Sequence, residues 1–498
     1  MKSTTGTETE RLPHYPTFKS KRKALLPMAE SSRSSQTAAT SSPSVSSFSS
    51  SRDSSMTQMN DDQIFSILQL LPVESVLSFC MTCRKFRSLA SSDPLWEAIC
   101  RREWGEGPVD SLLASLSPER RGVSWKRLYQ QVVQLNSLSC RTLSSKDGIF
   151  PKPRASHTLN FVSDCLVLYG GGCDGGRHLD DTWVAYIGKG VRQVVDWHQV
   201  NSGSPSGRFG HTCIVIGDAL VLFGGINDNG IRHGDTWIGQ LHFDGSFEIR
   251  LSWKLLDVGH ITPPPRGAHA GCCIGDKRMV IHGGIGDGGL RLNDMWVLDL
   301  SDGFKSGGWH QIVMPQPSPA ARSGHSLTWI GGSRMILFGG RGKEYEVLND
   351  VWLLEMGGEF PEWVPIVYEC SNVPRGVPLP RVGHSATLVF GGKVLIYGGE
   401  DSQRHRKNDF WLLDLNALLT FGMRFQSVNS KGLTGKMWKR LKAEGNLPDC
   451  RSFHTACADQ SGCHLYIFGG MVEGVGPAEA YGLRFDGGLH LVELVLQL

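Results

Sequence analysis

No apolar run in these 498 residues approaches the roughly 20 needed to cross a membrane as a helix, and the N-terminus lacks the apolar core of a signal peptide. Membrane partners are not expected. Neither sign of charge prevails. The net charge is +3, and residues 1–56 carry eight Lys/Arg against four Asp/Glu, which leaves the remainder close to neutral. A body without a basic excess is not expected to bind nucleic acid. The thirteen cysteines are scattered singly apart from Cys272-Cys273 and Cys80-x-x-Cys83, so they form no disulfide framework. They fit a reduced compartment, the nucleus or the cytoplasm. Residues 31–55 are more than half serine and almost free of apolar side chains. Such a segment buries too little to offset its ordering entropy, so 1–56 is expected to be a disordered, Ser-rich tail. Its Lys19-Ser20-Lys21-Arg22-Lys23 cluster reads as a solvated basic tail or as a nuclear address. The Ser-rich, acid-poor composition also allows an organellar transit peptide.

Glycine and tryptophan are plentiful instead, sixty and fourteen respectively. The segment YGGGCDGGRHLDDTW (169–183) looks like a phosphate loop until its copies are found. A glycine doublet after a strand-like run recurs as Gly170-Gly171, Gly224-Gly225, Gly283-Gly284, Gly339-Gly340, Gly398-Gly399 and Gly469-Gly470. Thirteen residues after the first glycine of the first five pairs stand Trp183, Trp237, Trp296, Trp352 and Trp411. Two residues before each lies an aspartate: Asp181, Asp235, Asp294, Asp350 and Asp409. Upstream of each doublet is an Arg-x-x-His: Arg154/His157, Arg208/His211, Arg266/His269, Arg322/His325, Arg381/His384 and Arg451/His454. A second tryptophan opens the last strand of five units: Trp197, Trp253, Trp309, Trp363 and Trp438. Units of four short strands, repeated radially, describe a β-propeller. The glycines then supply turns at positive φ and close packing. A phosphate cradle would need a helix N-terminus after them, and a strand follows instead.

This pattern resembles the kelch motif over about residues 150–498. The resemblance implies an all-β propeller of six blades. The sixth unit departs from it, with Ala480 and Gly482 at the Asp and Trp positions, Tyr481 as a substitute aromatic, and Leu489–Val495 as the last strand. Residues 140–143 are the alternative closing strand, from the N-terminal side. Six histidines on six blades stand too far apart to share a metal, whose bonds are about 2 Å long. They read as packing and hydrogen-bonding residues. The repeated Arg and Asp read as partners of turn backbone rather than as acid and base.

Before the propeller the periodicity becomes helical. Ile64, Ile67, Leu68 and Leu71 line one face, Pro72 marks a turn, and Val76, Leu77, Phe79 and Cys80 continue on a second helix. Asp93-Pro94 reads as an N-cap with proline in the first turn of a third helix, which carries Leu95, Trp96 and Ile99. Helices this short bury little alone, so a folded partner is expected. The segment resembles an F-box in Asp61-Asp62-x-Ile64, Leu71-Pro72, Cys83-Arg84-x-Phe86-Arg87-x-Leu89 and Asp93-x-Leu95-Trp96. Met59-Asn60 stands where the usual opening Leu-Pro would be. Trp125–Tyr129 looks like the helix that ties an F-box to its substrate domain. The expected organisation is therefore a tail (1–56), a small α-helical F-box (57–104), a helical linker (105–139) and the kelch propeller (140–498).

Together the two resemblances identify the chain as similar to F-box/kelch proteins, substrate receptors of SCF-type ubiquitin ligases. They imply docking on a Skp-family adaptor, and through it a cullin, by Ile64, Leu68, Leu71, Pro72, Val76, Leu77, Leu95 and Trp96. They imply a target protein held by the propeller, with no cofactor, no metal and no catalytic residue. Some light-sensing relatives carry a flavin-binding domain before the F-box, and none is expected here. Loops between second and third strands carry recognition. Theirs contain Arg177, Arg232, Arg291, Arg341, Arg404 and Arg406, which suit an acidic or phosphorylated target segment. Neighbouring acids make local pairing the competing explanation. Two other classes compete with a ligase receptor. One is an adaptor acting outside any ligase. The other is a catalytic or metal-dependent propeller, whose specifier pattern is met by Glu346 and Asp350 but broken by Leu354.

Overall fold

The computed structural model describes residues 59–116, 122, 124–187, 194–201, 203–243, 249–275, 277–300, 302–366, 378–414, 437–473 and 483–496. The expected tail (1–56) and the expected blade-6 positions Ala480, Tyr481 and Gly482 lie outside the described residues.

Four helices, rather than the expected three, form the F-box: α1 (Asp61–Leu70), α2 (Val73–Cys80), α3 (Arg84–Leu89) and α4 (Asp93–Trp104). Asn60 caps α1, and its side chain and that of Gln63 satisfy each other's backbone N–H in a capping box. Helix α1 therefore starts firmly without the usual Leu-Pro. Asp93 is the first residue of α4 rather than its N-cap, which is Ser92. Its carboxylate accepts from the backbone N–H of Trp125 at 2.8 Å and so anchors the start of α6 (Trp125–Val133). Helix α5 (Glu106–Ser115) lies between them in sequence.

Strand β1 (Ser137–Ser145) follows α6 and belongs to the propeller. Six four-stranded units are present among the described residues. Blade 1 runs Thr158–Val162, Cys165–Tyr169, Thr182–Tyr186 and Trp197–Asn201, from the axis outwards. Blades 2 to 5 repeat the antiparallel order, and the innermost strands neighbour one another around a closed ring. The second strands of blades 1, 2 and 5 read CLVLY, ALVLF and KVLIY and are buried along their whole length. They are sandwiched between neighbouring blades, so both faces must be apolar and alternation disappears.

Blade 6 closes the ring. It pairs Thr455–Ala458, His464–Phe468 and Leu489–Leu494, and β1 adds antiparallel to the last as the outer strand. Of the two closures open from sequence, the N-terminal one is realised. The segment expected to be the last strand is the third. Strand β1 also pairs parallel with Trp438–Gly445 of blade 5 and touches Val194–Val195 beside blade 1. Helices α4 to α6 share a core with blades 5 and 6 that includes Trp104, Val132, Phe390 and Leu465. Gly391 lies so close to α6 that an added Cβ would stand 2.3 Å from Val132.

Candidate docking and recognition sites

Every blade begins with the same clamp. Arg154, Arg208, Arg266, Arg322, Arg381 and Arg451 are at most 1% exposed. In blades 1 to 5 each guanidinium grips the repeated aspartate with both Nη atoms, as Arg266 grips Asp294 at 2.6 and 2.7 Å. The same Nη1 donates to the carbonyl of the first doublet glycine, 3.0 Å away at Gly283. The aspartate also accepts from the tryptophan Nε1 two residues on, at 2.7 Å for Trp183 and Trp237 and 2.8 Å for Trp296. Trp352 and Trp411 repeat the bond. So the Arg and Asp read as backbone partners are chiefly each other's partners. Burial works against the charge of Asp294, but the Arg266 hydrogen bonds and charge, with the Trp296 N–H, outweigh it and hold the carboxyl below its usual range. The doublet glycines adopt positive φ, 64° and 100° at Gly283 and Gly284. A Cβ on Gly284 would meet the Cβ of His269 at 2.7 Å.

Blade 6 builds its clamp from residues the spacing missed. Arg451 donates to Asp486 at 2.8 Å, and His490 sits in the register that tryptophan occupies elsewhere, 3.3 Å from Arg451 Nη2. These replace the expected Ala480 and Gly482. The insertion after Gly469-Gly470 breaks the thirteen-residue spacing; the signal left in the sequence was the acid Asp486 preceding the next apolar strand.

The repeated histidines stitch blade to blade. Nε2 of His211, His269, His384 and His454 bonds the hydroxyl that follows the previous blade's histidine: Thr158, Thr212, Ser326 and Ser385, at 3.1, 2.7, 3.0 and 2.9 Å. His157 closes the circle on Thr455 at 2.8 Å. Blade 3 has Ala270 in that place. There His325 turns to Nδ1 of His282 at 3.0 Å, and His282 occupies the position before the doublet that is Phe or Tyr in every other blade. Burial pushes the rings towards neutrality: the pKa of His211, His282 and His384 is lowered to about 3. Among the described residues no three His, Cys, Asp or Glu are grouped to hold a metal. Asp350, half of the specifier pattern, is committed to Arg322 and Trp352.

Just before each histidine lies a residue at positive φ: Ser156, Gly210, Ala268, Gly324, Gly383 and Phe453. Their backbones form a head-to-tail ring. Each N–H donates to its predecessor's carbonyl at 2.7–3.0 Å, and Ser156 closes it on Phe453 at 2.8 Å. This ring lines an axial cavity of about 320 Å³, together with the six histidines and the loop arginines Arg291 and Arg341.

The six loop arginines do not converge as one basic rim. Only Arg291 and Arg341 reach the cavity. Arg291 bonds Ser323 Oγ at 3.2 Å and lies 4.3 Å from the Tyr345 ring centre. Arg341 meets the buried Glu400 at 3.4 Å, which also takes a hydrogen bond from Ser452 and faces Arg406 at 3.8 Å. Arg406 is itself tucked away, with its side chain 8% exposed. Arg232 is half-buried and bonds the Gly230 carbonyl, whereas Arg177 and Arg404 point outward from exposed loops.

The F-box also departs from expectation. Ile64, Leu68, Val76, Leu95 and Trp96 are buried inside the chain, and Trp96 Nε1 donates to the Ala90 carbonyl at 3.0 Å. The four F-box helices hide them together with α6, whose Tyr129 and Lys126 lie against the Trp96 ring. What remains accessible is Leu70 (82% exposed), Met81 (74%) and Leu77 (45%), with Pro72 exposed and Leu71 half-buried. These run from the end of α1 through the α1–α2 turn and α2 to its C-cap, Met81. Arg102 fixes that turn by donating to the carbonyls of Gln69 and Leu71, the latter at 3.0 Å.

A helical docking module sharing a core with a six-bladed kelch propeller defines an adaptor architecture. Family comparison agrees. Residues 61–102 match the F-box-like domain, and residues 124–331, 210–373 and 366–481 match the KLHDC2/KLHL20/DRC7 Kelch-repeats domain. The chain belongs to the F-box/kelch-repeat family. It is 55% identical over 447 residues to an F-box/kelch-repeat protein of Arabidopsis thaliana, covering 88% of this chain and 92% of that one. Adagio-like protein 1 of Oryza sativa subsp. japonica is 28% identical over 72% of this chain and 56% of its own length. Adagio protein 3 of Arabidopsis thaliana is 28% identical over 83% and 62%. The chain thus spans little more than half the length of these adagio relatives. A solved structure titled "Structure of YjhT" aligns with 68% of this chain and 95% of its own at 15% identity and a TM-score of 0.47.

Proposed function

We propose that the chain is the substrate-recognition subunit of an SCF-type ubiquitin ligase, working in the nucleus or cytoplasm. The F-box docks a Skp-family adaptor bound to cullin, and the propeller mouth holds an acidic or phosphorylated segment of the target. The observation that carries this reading is the exposure of Leu70, Pro72, Leu77 and Met81, apolar residues at the end of α1, in the α1–α2 turn, on α2 and at its C-cap. Burying a Leu or Met on a partner contributes about 1.5–3 kcal/mol each. No transfer chemistry need reside here; holding a target lysine near an activated ubiquitin raises its effective concentration. A chain with Leu70→Asp, Leu77→Asp and Met81→Asp is expected to fold, since all three side chains are solvent-facing, and to lose adaptor and cullin in copurification. Retention of both would remove the docking surface. Adaptor without cullin in the wild-type complex would favour the second reading, an F-box adaptor outside any ligase.

A further inference from the structure

Phe453 is the one large side chain in the axial ring, and its backbone is in the left-handed region at φ 55°. That conformation is unfavourable for a bulky residue and free of cost for glycine. Three of the six equivalent positions are glycine, so the fold does not require a side chain there. Ser156 and Ala268 share that backbone with small side chains, whereas Phe453 alone holds a bulky ring there, and strain kept under a large, half-buried side chain points to a use outside folding. The Phe453 ring lies over Gly383, where an added Cβ would stand 2.8 Å from it, and forms part of the cavity wall. Phe209, Ile285 and Val382, from blades 2, 3 and 5, add apolar lining to the same cavity. Blade 3 lies opposite blade 6 in a six-membered ring, and from it Arg291 enters the cavity. Among the described contacts its guanidinium meets a hydroxyl and an aromatic face but no carboxylate. The second cavity cation, Arg341, is already shared with Glu400.

We propose that the axial cavity is a recognition pocket for an acidic side chain beside an apolar one, the carboxylate on Arg291 and the apolar group against Phe453. This deepens the target-binding reading above and rests on it. One guanidinium that meets no carboxylate among the described contacts balances the single charge of a carboxylate better than the charge of a phosphate. The occupant is therefore a peptide segment of a protein target.

The full chain in complex with its adaptor is titrated with fluorescein-labelled, end-blocked hexapeptide pools. One pairs Asp or Glu with an aromatic residue, one pairs acid with glycine, one pairs lysine with an aromatic, and one replaces the acid by phosphoserine. The acid–aromatic pool is expected to bind about tenfold more tightly than the acid–glycine pool, the span one apolar group gives a pocket. Phe453→Gly should abolish that preference while raising the melting temperature by about 2 °C or more, because strain is relieved. Phe453→Asn, which tolerates the backbone, should lose the preference too. Arg291→Gln should abolish the preference for acid over lysine. Equal binding of the pools, or a preference surviving Phe453→Gly, overturns the proposal, and tighter binding of the phosphoserine pool overturns the carboxylate assignment. Cullin capture is measured on the same samples. Its absence alongside intact pool selectivity supports the pocket and sinks the ligase reading instead.

Discussion

At the scale of the residue, blade 3 is a natural double substitution. Its neighbours join through a histidine and a hydroxyl; it has neither hydroxyl nor the aromatic before the doublet, and His282 fills both vacancies. His282→Phe alone should therefore strand Nε2 of His325 and cost about 1–3 kcal/mol. Adding Ala270→Ser should recover most of it, measured as a double-mutant cycle in urea. The clamp is less forgiving. Asp294→Ala leaves the buried Arg266 guanidinium without its carboxylate and should cost about 3–5 kcal/mol. The histidines also set an acid limit. Each folded-state pKa lies below the free value, so their stabilisation is complete above about pH 6.5 and is lost as pH falls from there towards 3. Each costs on the order of 1 kcal/mol by pH 5.5, so that the ring as a whole is markedly acid-sensitive. A melting temperature that stayed flat from pH 7 to 5 would contradict this. The lowered Asp carboxyls act in the same direction, but only below their own free value near 4.

At the scale of the element, what could be read from the chain was whatever kept a fixed spacing. Five tryptophans thirteen residues after a glycine located five blades. The sixth blade was marked by Gly469-Gly470 and Arg451/His454, but its clamp partners hid because an insertion moved its acid to Asp486 and replaced tryptophan by His490. The Arg–Asp pairing was legible in principle, since the partners lie 27 or 28 residues apart in five blades, but spacing alone does not show which groups face each other. Five of the eight F-box residues expected to dock, Ile64, Leu68, Val76, Leu95 and Trp96, are buried, and the reason is different. Periodicity finds the apolar face of a helix; it does not say whether another helix already covers it, and Leu95, Trp96 and Ile99 of α4 are buried within the chain. Strand β1 supplies the element-level prediction. Removing 59–136 should expose the apolar face around Val389 and Phe390 yet leave a folded propeller, whereas removing 59–145 also strips the outer strand of blade 6. Only the second should lose its cooperative thermal transition, followed by circular dichroism.

At the scale of the whole molecule, the F-box and the propeller are not beads on a string. They share one core, and Gly391→Ala should loosen it by forcing Val132 away, visible as faster proteolysis between α6 and β1 with each part still folded. Strand β1 is bonded to blade 6 on one edge and to blade 5 on the other. A machine that grips the chain before α1 and pulls must therefore load β1 along its length. Its cross-strand bonds would yield in shear, many at once, instead of unzipping in turn. By this one strand the propeller is mechanically hard to pull apart from its N-terminal side.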